Sequence, residues 1–244
     1  MEYKGSAVYD NNEFFERYME RRHRPESPNI IMENPLLREM LGKIDGKALL
    51  DLGCGDASLG LELLEECHSY TGVDGSKNMC ERAGEKIKGR NGNIIHQSME
   101  NYGFPSNSFD IVVSQLALHY VEKIDRIIDK VYDCLSNGGK FVFSVQHPLL
   151  TSSSKSLEAS GKRLDWIVDD YFQSGKRIEP WIGEVVVKYH RTVEDYFGLL
   201  TGAGFTVKEL REGKPVKEYF ENKNEYERRM RIPLFLIFSC EKNR

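Results

Sequence analysis

The sequence contains no apolar run of the roughly 20 residues that a membrane-spanning helix needs, so no such helix is expected. Its first ten residues, Met1 to Asp10, are polar and mixed, without the basic-then-apolar pattern of a secretory signal. An excess of charge is also missing. The balance of 34 basic and 38 acidic residues leaves −4, which gives no global pull toward nucleic acid. Cysteine is sparse and odd in number: Cys54, Cys67, Cys80, Cys134 and Cys240. These read as reduced thiols, which points to a cytoplasmic location. No histidine pair or close cysteine pair stands at metal-ligand spacing, so no metal is expected. There is no internal repeat, no low-complexity tract and no G-x-x-x-x-G-K-[ST] phosphate loop. What remains is a chain of 244 residues, a size for one large α/β domain that buries its core without staples.

The chain is organised around Ala48-Leu49-Leu50-Asp51-Leu52-Gly53-Cys54-Gly55-Asp56-Ala57-Ser58-Leu59-Gly60. A short apolar run leads into a glycine-rich turn, and Leu59, Leu63 and Leu64 then follow an amphipathic pattern. Strand, tight turn and helix are the first unit of a doubly wound α/β sheet, which binds ligands at the carboxyl ends of its strands. Gly53 and Gly55 permit a sharp turn and close approach of a ligand. The N–H groups opening the next helix favour a carboxylate or phosphate. A dinucleotide fingerprint would carry a third glycine where this chain has Ser58, so that match is partial. Tyr70 to Asp74 is a second strand ending in an acid. Asp74 lies about 20 residues past the glycines, where a carboxylate accepts ribose hydroxyls of NAD or S-adenosylmethionine (SAM) alike.

Before this core, Asp10 is placed to cap a helix bearing Phe14, Phe15, Tyr18 and Met19, and Arg21 to Arg24 form its solvated basic end. Asn34-Pro35 reads as the cap and first residue of a second helix, with Gly42 as its stop. After the core, Ser76 caps a helix with Met79 and Ala83, and Asn93 to His96 form a third strand. Phe109 to Ser114 are a buried fourth strand, and Ile124 to Leu135 a core helix. Asn137-Gly138-Gly139 turns into a fifth strand, Lys140 to Gln146. The doubly wound rhythm stops at residues 148–190, where both tryptophans, Trp166 and Trp181, fall. Long segments of this kind are usually functional, and this one is expected to be a substrate lid. A helix capped by Thr192, a strand from Phe205 to Leu210, a helical stretch from Glu218 to Met230 and a last strand from Ile232 to Ser239 complete the chain.

Leu49 to Gly55, Phe109 to Ser114 and the Leu135-Ser136-Asn137-Gly138-Gly139 turn together resemble the class I SAM-dependent methyltransferases. The resemblance is nearest to the small-molecule branch that includes the ubiquinone- and menaquinone-pathway enzymes. It implies a Rossmann-like seven-stranded sheet with an antiparallel last strand, under an N-terminal helical cover (1–45). It further implies SAM contacts at Asp51, Gly53, Cys54, Gly55, Asp74, Gly75, Ser76, Met79, Ser98, Met99, Gln115 and Leu116, and S-adenosylhomocysteine as product. The acceptor is expected to be an O or N nucleophile of a small molecule. If its proton must be removed, the histidines near strand ends are the candidates: His147, His119 and His190. Tyr18, Tyr120 and Tyr189 are candidates to line the pocket. A non-catalytic SAM-binding regulator and an NAD(P)-dependent oxidoreductase stand as alternatives. RNA methylation would rest only on Arg21 to Arg24 and Arg228 to Arg231.

Overall fold

The computed structural model describes residues 2–157 and 165–243. Residues 158–164, within the expected lid, lie outside the described residues. A short strand, β1 (Glu2–Tyr3), opens the chain, and a 3₁₀ turn, Gly5–Asp10, leads to α1 (Asn12–Arg22). The cap of α1 is Asn11 rather than Asp10. Asn11 has the extended backbone that a cap requires, and its Oδ1 accepts from Phe14 N at 3.1 Å. Asp10 ends the preceding turn and instead accepts from Ser76 Oγ at 2.7 Å and Asn78 N at 3.2 Å. It thereby ties the N-terminal segment to the core.

The next helix also begins differently from the sequence expectation. Helical winding starts at Asn29 as a π-turn, Asn29–Glu33, and runs straight into α2 (Asn34–Leu41). Asn34 N donates five residues back to Asn29 O. Pro35 has no N–H to give, and a proline near the start of the α-helical segment loses little. Gly42, at φ +68°, stops α2 as expected.

Strands and helices then alternate: β2 (Ala48–Leu52), α3 (Ser58–Leu63), β3 (Ser69–Asp74), α4 (Lys77–Lys86), β4 (Gly92–His96), β5 (Phe109–Gln115), α5 (Ile124–Cys134) and β6 (Leu135–Gln146). The expected turn at Asn137–Gly139 is absorbed into the base of β6, where the pairing register with β5 shifts. A short α6 (Pro148–Thr151), a hairpin of β7 (Gly175–Trp181) and β8 (Glu184–His190), α7 (Val193–Gly202), β9 (Phe205–Glu212), α8 (Lys223–Arg229) and β10 (Phe235–Lys242) follow. The last strand begins after Pro233, whose missing N–H cannot serve a ladder. The helical stretch expected from Glu218 is broken. A 3₁₀ turn at Lys217–Tyr219 precedes α8, which starts where Asn222 Oδ1 caps Asn224 N and Glu225 N.

The main sheet has the order β4-β3-β2-β5-β6-β10-β9. The first five strands are parallel, and β10 runs antiparallel to both β6 and β9. Leu50 and Val112 pack with Ile128 of α5 and Leu200 of α7, while Leu49 and Val113 pack with Leu41 of α2 and Leu63 of α3. Helices on both faces explain why these strands are continuous apolar runs rather than alternating ones. The strand order reverses between β2 and β5, the switch point at which such sheets open a cleft.

A second sheet, β1-β8-β7, joins the start of the chain to the insertion after β6: Glu2 and Tyr3 pair in parallel with Val185 and Val186. The two tryptophans of the insertion pack in different places. Trp181 packs with Phe14 and Tyr18 of the N-terminal segment, and Trp166 packs with Met32, Leu150 and Phe235. Among the described residues, no helix is long and apolar enough to cross a membrane.

Phe238 of β10 is fully buried and stacks on Phe143, with ring centroids 5.2 Å apart. Phe238→Ala should lower unfolding free energy by about 3–5 kcal/mol in urea titrations. Phe197→Ala, at a site 47% exposed, should stay within about 0.5 kcal/mol of the parent. Equal effects of the two would show that β10 is not at the centre of the core.

Candidate active site

At the end of β2 the chain turns back on itself so tightly that Gly53 and Cys54 both donate to Val73 O, at 2.8 and 3.1 Å. Gly53 adopts φ +75°, and a Cβ there would lie 2.4 Å from Ala117 Cβ. Glycine is thus required both by conformation and by the close approach of the turn that follows β5. Gly55 N donates to Asp74 Oδ2 at 2.9 Å, and Ser76 N donates to Asp74 Oδ1 at 2.8 Å. One carboxylate therefore fixes the turns after β2 and β3 together. Burial pushes the Asp74 carboxyl up, against the pull of those two N–H groups.

The start of α3 is not an open anion site. Asp56 occupies it, with Oδ1 accepting from Ser58 N at 3.2 Å, and Lys86 pairs with the same carboxylate. Burial raises the Asp56 carboxyl, but the Lys86 contact outweighs it and holds the group below its usual range.

A cavity of about 1140 Å³ opens along the carboxyl ends of these strands. All the expected cofactor residues line it except Asp51 and Ser76. Asp51 lies behind the glycine turn and accepts from Tyr70 OH at 2.8 Å; burial pushes its carboxyl up to about 7. Ser76 is spent on capping α4 and on Asp10. Cys54 lines the cavity as a protonated thiol, pushed up by burial and by the Asp51 and Asp74 carboxylates.

The three candidate histidines separate. His147 accepts at Nδ1 from Leu149 N (3.2 Å), so its hydrogen sits on Nε2 and is donated to Glu212 (2.9 Å). His190 donates from Nε2 to Tyr171 O (2.8 Å), and its Nδ1 faces Thr151 Oγ1 at 2.7 Å. Neither lines the cavity. His119 does. Burial, with Lys188 and Arg191 adding to it, holds its pKa well below the ordinary value, so the ring is neutral. Gln146 N approaches His119 Nδ1 at 3.5 Å, which favours the tautomer with hydrogen on Nε2. That nitrogen has no partner among the described residues.

Tyr18 and Tyr120 line the cavity as expected. Tyr189 does not; its hydroxyl donates to Glu122 (3.3 Å). The basic run Arg21 to Arg24 is not simply solvated, because Arg21, Arg22 and Arg24 reach the cavity wall. Helical spacing carried this signal: Phe14, Tyr18 and Arg22 stand four apart on one face of α1. Trp181, of the expected lid, also lines the cavity, whereas Lys188 and Gln146 were not foreseen. Lys188 Nζ lies 2.8 Å from both Glu179 Oε2 and Gln146 Oε1, and 5.6 Å from the Trp181 ring centroid.

The close approach at Gly53 is directly testable. Gly53→Ala should cost about 1–2 kcal/mol from conformation alone, with more from the contact with Ala117. Adding Ala117→Gly should recover the second part only. Thermal melts of the parent, single and double variants separate the two, and a double variant no better than the single would refute the contact.

Comparison with known proteins gives concordant results. A family model described as a methyltransferase domain matches residues 50–143. The crystal structure of a putative SAM-dependent methyltransferase from Listeria monocytogenes superposes with a TM-score of 0.78 at 32% identity, over 86% of this chain and 96% of that one. A SAM-dependent methyltransferase from Mesorhizobium loti gives 0.77 at 32% identity, over 85% and 96%. A demethylmenaquinone methyltransferase from Geobacillus is 34% identical over 103 residues, 40% of this chain and 44% of that protein. Likeness at this level over nearly the whole of two solved chains, together with the glycine turn and the cavity at the switch point, makes this chain a member of the class I SAM-dependent methyltransferase family.

Proposed function

We propose that this methyltransferase acts on an O or N nucleophile of a small molecule, and that it does so by alignment and electrostatics rather than through a general base. SAM supplies an electrophilic methyl group; the protein supplies orientation and a site screened from water. The observation that carries this reading is the state of His119. It is the one candidate histidine on the cavity wall, and it is neutral, with its hydrogen favoured on Nε2. In that form it donates a hydrogen bond to the acceptor and does not take the acceptor's proton. Burial is the first cause of the depression of His119, and Lys188 and Arg191 add to it; these two cations also act on an acceptor seated beside the ring. They favour a free amine over an ammonium and an oxyanion over a hydroxyl. Ligand clefts typically measure about 300–1,000 Å³, so a cavity of about 1140 Å³ supports SAM with a small acceptor beside it. The matched portion of the menaquinone-pathway relative stops at 40% of this chain, so its substrate does not carry over.

The adenosine end of the cofactor fits Asp74, Ser98 and Met99. Each Asp74 oxygen has spent one acceptor site on a backbone N–H and keeps another for a ribose hydroxyl. Asp74→Ala should weaken SAM binding by roughly 10- to 100-fold. It should also destabilise the fold by about 1–3 kcal/mol, because Gly55 N and Ser76 N lose their acceptor. Calorimetry and a thermal melt read the two effects, and unchanged affinity would place the ribose elsewhere.

For His119 the pH dependence gives the sign. The folded-state pKa is lowered, so the ring stays neutral from alkaline pH down through 6.5, and turnover should show no histidine inflection there. His119→Ala should raise KM for the acceptor and leave kcat within a few fold, the pattern of lost positioning. A fall in kcat of about 10²-fold with unchanged KM would restore His119 as a base and reject the alignment reading.

A further inference from the structure

We infer that Arg22 is the binding residue for the α-carboxylate of the methyl donor. The inference rests on the cofactor placement proposed above. With adenosine at Asp74, Ser98 and Met99, on the β3 and β4 side, the amino-acid arm of the cofactor must pass Gly53 and reach the wall formed by Gln115 and α1. Arg22, the last residue of α1, lines the cavity at that wall. Its Nη2 donates to Gln115 Oε1 at 2.9 Å. Among the described residues its remaining N–H groups have no acceptor, and it forms no ion pair.

The carboxylates nearby are already committed. Glu33 is fully buried and accepts from Ser144 Oγ and Gln115 Nε2, both at 2.5 Å. Asp56 is held by Lys86, Ser58 and, at 3.4 Å, His23. Asp56 also fills the start of α3, the other place where an incoming carboxylate would be expected to settle.

The Gln115 amide is locked in turn. Its nitrogen is bound to Glu33, so its carbonyl oxygen is fixed toward Arg22, and the guanidinium is held in one orientation before any ligand arrives. Glu33 and Asp56 act on this half-buried guanidinium through space but do not touch it, and its planar fork matches a carboxylate with two parallel hydrogen bonds.

The test compares SAM with decarboxylated SAM, which lacks only that carboxylate, by calorimetry on the full chain without acceptor. The wild type should prefer SAM by roughly 10- to 100-fold. Arg22→Ala should weaken SAM by about that factor and leave decarboxylated SAM unchanged, so that the preference collapses toward one. Arg22→Gln, which keeps a polar side chain beside Gln115, should do the same if the alanine variant does not fold. A wild type with no preference would overturn the inference. So would a preference that survives undiminished in the variants, as for an arginine that serves an anionic acceptor. Equal weakening of both ligands would make Arg22 a structural prop and overturn it as well. No acceptor enters the measurement, so failure of the proposed acceptor chemistry leaves this result standing.

Discussion

Two backbone N–H groups, from Gly55 and Ser76, converge on the Asp74 carboxylate, and the geometry of the cleft follows from that convergence. A parallel sheet leaves a gap where its strand order reverses, but a gap is not a site until the loops at its rim are fixed. Asp74 fixes two of them with one side chain, and Gly53 makes contact with a third by letting the turn after β5 approach to within a methyl group. The cost is a carboxylate removed from water. The two N–H groups offset part of it, and lone pairs remain that can be satisfied by a ligand.

The cover over this rim is assembled from segments far apart in sequence. Asn11 Nδ2 donates to Glu184 at 3.1 Å, and Tyr9, Phe14 and Tyr18 surround Trp181 at centroid distances of 5.3–6.0 Å. β1 adds backbone pairing to β8, and Asp10 pins the same segment to the start of α4. The N-terminal arm and the insertion are thus one layer. Tyr9, Phe14, Tyr18 and Trp181 bury their rings against one another, so the N-terminal segment and the β7–β8 hairpin depend on the same contacts.

The sheet was legible because its strands are buried on both faces and bounded by glycine, aspartate and asparagine at the turns. Local pattern alone identifies Leu49–Leu52 or Ile111–Val113. The cover was much less legible. The strand Gly175–Trp181 carries lysine, arginine, glutamate and proline, and only its partner β8 makes it a strand. Helix starts were displaced wherever two plausible caps stood side by side, as at Asp10 and Asn11, because the tertiary partner of each decided the outcome. Most residues expected at the cofactor line the cavity because they sit on the turns themselves. Gln146 and Lys188 were not foreseen, since each reaches the cavity from a strand whose side-chain placement depends on long-range packing.

The histidines show the same limit at the level of chemistry. Position in sequence placed three of them near strand ends, and position is all that sequence supplies. What a histidine can do depends on which nitrogen is free and on the charges facing it. His147 and His190 have both nitrogens committed, which makes them braces for α6 and for the hairpin. His119 keeps one nitrogen free, but burial first of all, then the cations Lys188 and Arg191 beside it and a backbone N–H behind the ring, oppose a second proton. On the reading proposed above, the same two cations would favour the deprotonated form of an acceptor beside this ring, which would lessen the need for a protein group to take its proton.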